Sequence, residues 1–343
     1  LLLDYGSSVS LDKRQNVDWF LFYDGLLKNI DNSSVDSKQS NFNLNISHQF
    51  STSKRNSFSQ INFRQHRQSF YGLPSIIEDN YILSNFDPVQ RLTYFSITSD
   101  WKWYDRIVKG FTLNSYYTAD SYSTRENEVS FSSKFQLDFG SINLTAIPKI
   151  NILSTTFKED YYTRLENDLF SGIGGASIYL SKEKGLFKFR LGIQSYIISG
   201  DNYAERNLYY FPDIMIAFKP ENSNFIPFLN INGEFHQNSF RALSHLNPYI
   251  APAIRLRSSF SPYKIELGTR SSLTKGWEFQ WNVFYSSEEN RPVFRNFGMN
   301  FDINNIIPYR FGNSFEVLYP SLISSGIKAK LKGIFKNGGR LNF

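Results

Sequence analysis

Short runs in which every second residue is apolar or aromatic recur along this chain, and no other feature constrains its fold so strongly. In the stretch 129–139, Val129, Phe131, Phe135, Leu137 and Phe139 share one parity, while Ser130, Ser132, Lys134, Gln136 and Asp138 share the other. Successive side chains of a strand point to opposite faces, so such a run has one greasy face and one wet face. The alternation returns with Phe42, Leu44 and Ile46 against Asn41, Asn43 and Asn45, and with Phe187, Phe189, Leu191 and Ile193 against Lys188, Arg190 and Gln194. It returns again with Trp277, Phe279, Trp281, Val283 and Tyr285 against Glu278, Gln280 and Asn282. In a soluble sandwich the greasy faces would be mainly Val, Ile and Leu, whereas this chain has 33 Phe and 21 Tyr.

Aromatic residues make up 17% of the chain, yet its mean hydropathy is −0.37. A lipid-facing apolar band around a polar interior gives both values together. No run approaches the roughly 18 consecutive apolar residues of a membrane-spanning helix. The pattern therefore predicts an all-β chain: one antiparallel transmembrane β-barrel domain over residues 1–343. Runs of the roughly 9 to 11 residues that a tilted crossing needs number about 16, within a range of about 14 to 18. The absence of cysteine fits passage through an oxidising periplasm. A net charge of +6, spread without an arginine-rich arm or a glycine-rich phosphate loop, argues against a nucleic-acid partner.

Tight polar turns are predicted at 12–15, 53–56, 105–106, 139–141, 182–185, 219–224 and 274–276. Longer excursions fall between them, at 69–91, 155–171, 199–207 and 237–261. This asymmetry is that of barrels with short periplasmic turns and long external loops. Pro148, Pro212 and Pro227 sit in or beside strand-like runs and blur the boundaries there. The chain opens on Leu1 with no initiator methionine, n-region or cleavage site, as expected if a signal peptide has been removed or left out. Counting strands back from the C-terminus places Leu1 outside the membrane, so native sequence is expected to precede it.

At the C-terminus, Ile327, Ala329, Leu331, Phe335, Leu341 and Phe343 lie on one parity, and Lys328, Lys330, Lys332, Lys336 and Arg340 on the other. A last strand ending in Leu341 and Phe343 resembles the C-terminal signal read by the barrel assembly machinery. Asn337, Gly338 and Gly339 read equally well as a hairpin turn, which would leave only a stub beyond it. With its alternating strands, its bias to Phe, Tyr, Asn, Ser and Lys, and Phe343, the whole chain resembles outer-membrane β-barrel proteins of Bacteroidota-type bacteria. It is similar either to porins or to the barrel of TonB-dependent receptors without their plug. The resemblance implies a bacterial outer-membrane location. It also implies contact with outer-membrane lipids and lipopolysaccharide, with the assembly machinery, and with other envelope proteins or lipoproteins.

Chemistry is sparse. His48, His66, His236 and His245 have no metal-ligand spacing, and no catalytic constellation stands out among the many serines, so no cofactor, metal or catalytic residue is assigned. His236 follows Asn230, Asn232 and Glu234 on a wet parity and reads as wall lining. Asp302 to Asn305 reads as a turn rather than a calcium loop. Trp101, Trp103, Tyr104 and Trp277 stand at strand ends, where interfacial aromatic girdles lie. Phe70, Tyr71, Tyr161, Tyr162, Tyr209, Tyr210 and Phe211 read as loop packing, with glycan stacking as the sharper alternative. The more useful signal is charge on the lumen parity. Lys134, Lys188, Arg190, Lys264, Arg270, Lys328, Lys330 and Lys332 outnumber Asp138, Glu234, Glu266, Glu278 and Glu316, and basic rings favour anions in a pore. Two functions follow: porin-like or transporter-like passage of small solutes without enzymatic activity, or a non-conducting accessory barrel in a larger envelope complex for assembly, secretion or nutrient uptake.

Overall fold

The computed structural model describes residues 1–26, 39–70, 87–183, 185–200, 208–220, 224–274, 276–300, 302, 306–334 and 340–342. Strands dominate it. They are β1 (Leu2–Asp12), β2 (Gln15–Leu26), β3 (Gln39–Ser51), β4 (Arg55–Ser69), β5 (Val89–Trp103), β6 (Val108–Asp120), β7 (Arg125–Phe139), β8 (Ile142–Phe157) and β9 (Asn167–Lys182). Next come β10 (Phe187–Gly200), β11 (Leu208–Phe218), β12 (Phe225–His236), a helix α1 (Phe240–Leu246), β13 (Ser259–Thr274) and β14 (Trp277–Glu289). The chain closes with β15 (Val293–Asn296), β16 (Phe315–Leu318), β17 (Leu322–Ile334) and β18 (Arg340–Asn342). No described helix is long and apolar enough to cross a membrane.

Sixteen strands form one antiparallel meander in which each pairs with its neighbours in sequence, β14 being followed by β17 and β18. The other two, β15 and β16, form a separate two-stranded ladder inside the β14–β17 connection, and Phe315 of β16 also bridges to Ile250 in parallel. The described strands therefore exceed the sixteen expected, because a loop hairpin adds to those of the sheet. Among the described residues no ladder returns from β17 or β18 to β1. At the C-terminal end β17 and β18 pair antiparallel, with Ile334 opposite Arg340, and Asn337, Gly338 and Gly339, where a turn is expected, lie outside the described residues. Leu341 sits opposite Gly333 in this short ladder, and Phe343 lies outside the described residues.

The tight turns expected at 12–15, 53–56, 105–106 and 139–141 join strands at one end of the sheet, and the connections after β8 and β12 lie at the other; residues 71–86, 184, 201–207, 221–223 and 275 of the other expected turns and loops lie outside the described residues. A further short turn, 121–124, joins β6 to β7 at the long-loop end. There Asp120 Oδ1 accepts from the backbone N–H groups of Tyr122 and Thr124 at 2.9 and 2.8 Å, the local bonding that makes Asp a turn residue. The three prolines lie inside strands. Pro148 interrupts the β7–β8 ladder between Ser132↔Lys149 and Phe135↔Ala146, as expected for a residue that cannot donate.

Register carries the alternation across strands. Ile46, Ile61 and Ile97 form one outward row, and Phe131, Ile150 and Gly174 another. Ile150 is 54% exposed although it is one of the most apolar side chains in the protein. The opposite face is polar: Asn62 donates to Asn43 at 2.8 Å, Asn114 to Ser130 at 3.1 Å, and Thr112 to Asp100 at 2.9 Å. A sheet that exposes its greasy face and wets the other inverts the burial of a soluble sandwich. The aromatics near the tight turns pack on the outer face, with Trp101 against Phe111 at 5.9 Å and Phe111 against Phe131 at 6.1 Å.

Compact apolar packing lies instead at the long-loop end. One cluster joins Leu92, Tyr94 and Phe157 of the strands to Phe240, Leu243 and Ile250 of the β12–β13 connection. A second gathers Phe70, Tyr161, Phe297 and Tyr309.

Candidate functional site

The basic residues anticipated for the interior share the polar face by register. Lys188, Ala217, Phe228, Gly268, Asn282 and Lys328 make one row across five ladders. Arg270 faces Gln280, which faces Lys330, and Glu278 faces Lys332. Arg190 and Lys264 lie on the same face. Several are engaged: Lys188 pairs with Glu183, Arg190 Nε with Asp213 Oδ1 at 2.9 Å, and Lys264 Nζ with Glu266 Oε1 at 2.9 Å. Others stack on rings, with the Arg270 guanidinium 5.1 Å from the Phe228 centroid and Lys328 Nζ 4.3 Å from that of Phe284. The wall is thus basic but partly neutralised. Lys330 and Lys332 are exposed.

Two acids assigned to this wall belong elsewhere. Glu316 lies in the β15–β16 hairpin, where it binds Arg295 Nε at 2.7 Å. At Gly233 the β11–β12 ladder has ended and the β12–β13 register shifts. Beyond it, Phe235 turns its ring onto Tyr196 and Tyr209, at 5.7 and 6.0 Å. Glu234 and His236 pair with each other at 3.1 Å and stay largely exposed. The bulge breaks the alternation that aligned His236 with Asn230.

Above the basic wall, the β12–β13 connection crosses from its own strands to β4–β8 and is bound there. Ser239 caps α1 by accepting from Ala242 N at 3.1 Å. The buried carboxylate of Glu126 accepts from Phe240 N at 2.6 Å, from Arg241 N at 2.8 Å and from Thr155 Oγ1 at 2.8 Å. A carboxylate at a helix start offsets both the unpaired N–H groups and the partial positive charge there. Arg241 donates to Glu128 at 2.8 Å and lies 3.8 Å over the ring of Tyr116. Further along, Tyr94 Oη and Ser244 Oγ are 3.0 Å apart, Gln68 Nε2 donates to the Pro248 carbonyl, and Thr124 Oγ1 donates to that of Pro252 at 3.4 Å.

His245 rests on the Tyr94 ring at 4.5 Å. Burial, reinforced by Arg64, Arg241 and His66, pushes its imidazole down to about 4, so it is neutral at neutral pH.

The β14–β17 connection bonds to the β12–β13 connection, and together they form a packed block of loops, the loop-end plug. Ala251 N donates to Phe315 O at 2.9 Å, and Phe315 N to Tyr249 O at 3.0 Å. Arg310, 2% exposed, reaches Glu159 at 3.1 Å beneath Tyr161, whose ring stacks on Phe297 at 3.5 Å. Burial raises the Tyr161 hydroxyl to about 12. A cavity of about 340 Å³ remains between the loops, lined by Asp160, Tyr162, Arg255, Arg257 and Tyr319 among others. Phe70 and Tyr161 are thus core residues of the plug, Tyr209 to Phe211 belong to β11, and Tyr71 lies outside the described residues.

Each of the four histidines has its own contacts. His48 contacts Gln15, His66 contacts Asn41 and Gln68, and His236 and His245 are placed as above. Among the described residues no group of three or more His, Cys, Asp or Glu could hold a metal ion. Asp302 pairs with Arg164 at 2.6 Å, and the remainder of its segment lies outside the described residues.

Sequence reasoning missed the contacts that Glu126, Glu128 and Tyr94 make with Phe240, Arg241 and Ser244 of the β12–β13 connection. Glu126 and Glu128 look like any wet-face residues of β7. The one local signal was Ser239 before Phe240, Leu243 and Leu246, a capping serine ahead of apolar residues at helical spacing.

No family model and no curated protein matches the chain. Solved structures do. The siderophore receptor PirA from Acinetobacter baumannii aligns over 97% of this chain with a TM-score of 0.64 and 11% identity. The FrpB iron transporter from Neisseria meningitidis aligns over 97% with a TM-score of 0.64 and 10% identity, and the copper transporter OprC over 99% with a TM-score of 0.59 and 6% identity. The chain spans a little over half the length of these proteins, 57%, 56% and 57%. At such identities the likeness is one of fold: a large antiparallel sheet of the kind that forms receptor barrels.

Proposed function

We propose that this chain forms the membrane-spanning wall of a transporter-like barrel in a bacterial outer membrane of Bacteroidota type, and that it passes small solutes along its basic inner face without catalysing a reaction. The observation that carries this reading is the division of one continuous sheet into an exposed apolar face and a polar face holding seven aligned cations, Lys188, Arg190, Lys264, Arg270, Lys328, Lys330 and Lys332. The fold shared with siderophore, iron and copper transport proteins supports it. Lipid and lipopolysaccharide would surround the apolar face, and the assembly machinery would insert the sheet.

In planar bilayers, with unequal salt across the membrane, the reversal potential is expected to favour anions. Replacing Lys328, Lys330 and Lys332 together by Gln should move that potential toward zero, because a ring of positive charge sets the sign of the passing ion. An unchanged potential would remove these lysines from the path.

The packed mouth favours a second reading, a non-conducting accessory barrel that binds envelope proteins or lipoproteins through its loops. Absence of current from folded protein, together with stable co-purification of such partners, would favour it.

A further inference from the structure

The β12–β13 connection has the geometry of a flap. Its two ends are stapled together, since Asn238 Nδ2 donates to Arg257 O at 2.7 Å and to Ser259 Oγ at 3.2 Å. Residues 239–257 therefore leave and return at one point, yet the partners that hold 240–248 lie on β4–β8, with β9, β10 and β11 intervening in the sheet, while 249–255 bond to other loops, Tyr249 and Ala251 to Phe315 and Arg255 to Asp160 and Tyr319. The far attachment is also unusual in its chemistry. Glu126 is 1% exposed, Glu128 lies beside it, and what they hold is two backbone N–H groups and one arginine of the flap.

A purely structural bridge would gain more from apolar contacts, because charges taken out of water repay their desolvation poorly. Charged contacts are better suited to release. Once the flap lifts, water reaches the carboxylates and the guanidinium at the same moment, and it satisfies the groups that the closed state had paired.

Building on the passage reading above, we propose that residues 239–257 are a gate, and that Glu126, with Glu128, is the latch that holds it shut over the basic wall. Passage then requires release of α1 from β7. The apolar partners of the flap, Leu92, Tyr94 and Phe157, hold it without fixing its register, and the carboxylate at the start of α1 supplies the register.

The test is single-channel recording in planar bilayers on the protein and three variants, each first shown to be folded by its heat-modifiable electrophoretic mobility. Glu126→Gln keeps the size of the side chain but removes its charge and turns an NH2 donor toward one of the two N–H groups, which are bound by different carboxylate oxygens. Tyr94→Phe deletes the bond to Ser244 and keeps the ring, and it serves as the second probe should the first variant fold poorly. The third variant replaces residues 239–257 by a short Gly-Ser linker.

The unaltered protein is expected to be mostly closed and the linker variant continuously open. Glu126→Gln should raise the open-to-closed ratio on the order of tenfold or more, the cost of weakening charge-assisted bonds, and Tyr94→Phe should raise it by less. A linker variant that conducts beside a folded Glu126→Gln and Tyr94→Phe that gate like the unaltered protein would overturn the latch. Equal current from the unaltered protein and the linker variant would overturn the gate. A silent linker variant would instead defeat the passage reading itself, and the gate with it.

Discussion

Truncating Phe157 to alanine should open the loop-end plug locally while leaving the sheet intact. Phe157 has no exposed surface, meets Phe240 edge-on at 5.7 Å, and belongs to the cluster that joins the strands to the β12–β13 connection. Deleting a buried phenyl ring costs about 3 to 5 kcal/mol when the site cannot collapse around the void. Collapse is hindered here, because Glu126 fixes the start of α1. The loss should appear as faster hydrogen exchange at the α1 amides by a factor of about 10² to 10³, with the amides of β7 and β8 unchanged, since proteins open in local units. Equal acceleration in β7 would show that plug and sheet unfold as one.

The second large effect concerns the outer face. Ile150→Arg, near the middle of β8, is expected to destabilise folding into a bilayer by about 2 to 4 kcal/mol, the cost of a charge on the lipid face near the midplane. Ser132→Arg, close by on the polar face opposite Lys149, should cost little. Urea titrations of both variants in lipid vesicles compare them directly, and similar midpoints would mean that the two faces do not meet different solvents.

Alternation made the two faces legible before any coordinates, and glycine- and lysine-rich breaks made the tight turns legible, because both are encoded within a few neighbouring residues. Long-range geometry was not. Glu126 and Phe240 are separated by 114 positions, and nothing near either announces the other. The same holds for Arg310 with Glu159 and for Glu316, whose parity suggested a wall although it sits in a loop hairpin. His236 was misjudged for a local reason: alternation is a reliable guide only while the ladder is regular, and the irregularity at Gly233 is visible only in the pairing of three strands. The basic face was readable residue by residue, whereas its partial neutralisation by Glu183, Asp213 and Glu266 depended on which strands became neighbours.

The chain has no cysteine, so single cysteines can be introduced without background. The most direct test is the rate at which a charged, water-soluble thiol reagent modifies Val129→Cys, Ser130→Cys, Phe131→Cys and Ser132→Cys in vesicles. A membrane-spanning sheet with a wet inner face predicts fast labelling at 130 and 132 and protection at 129 and 131, with protection lost on unfolding. Labelling at 129 and 131 as fast as at 130 and 132 would place the apolar face in water and contradict a transmembrane wall.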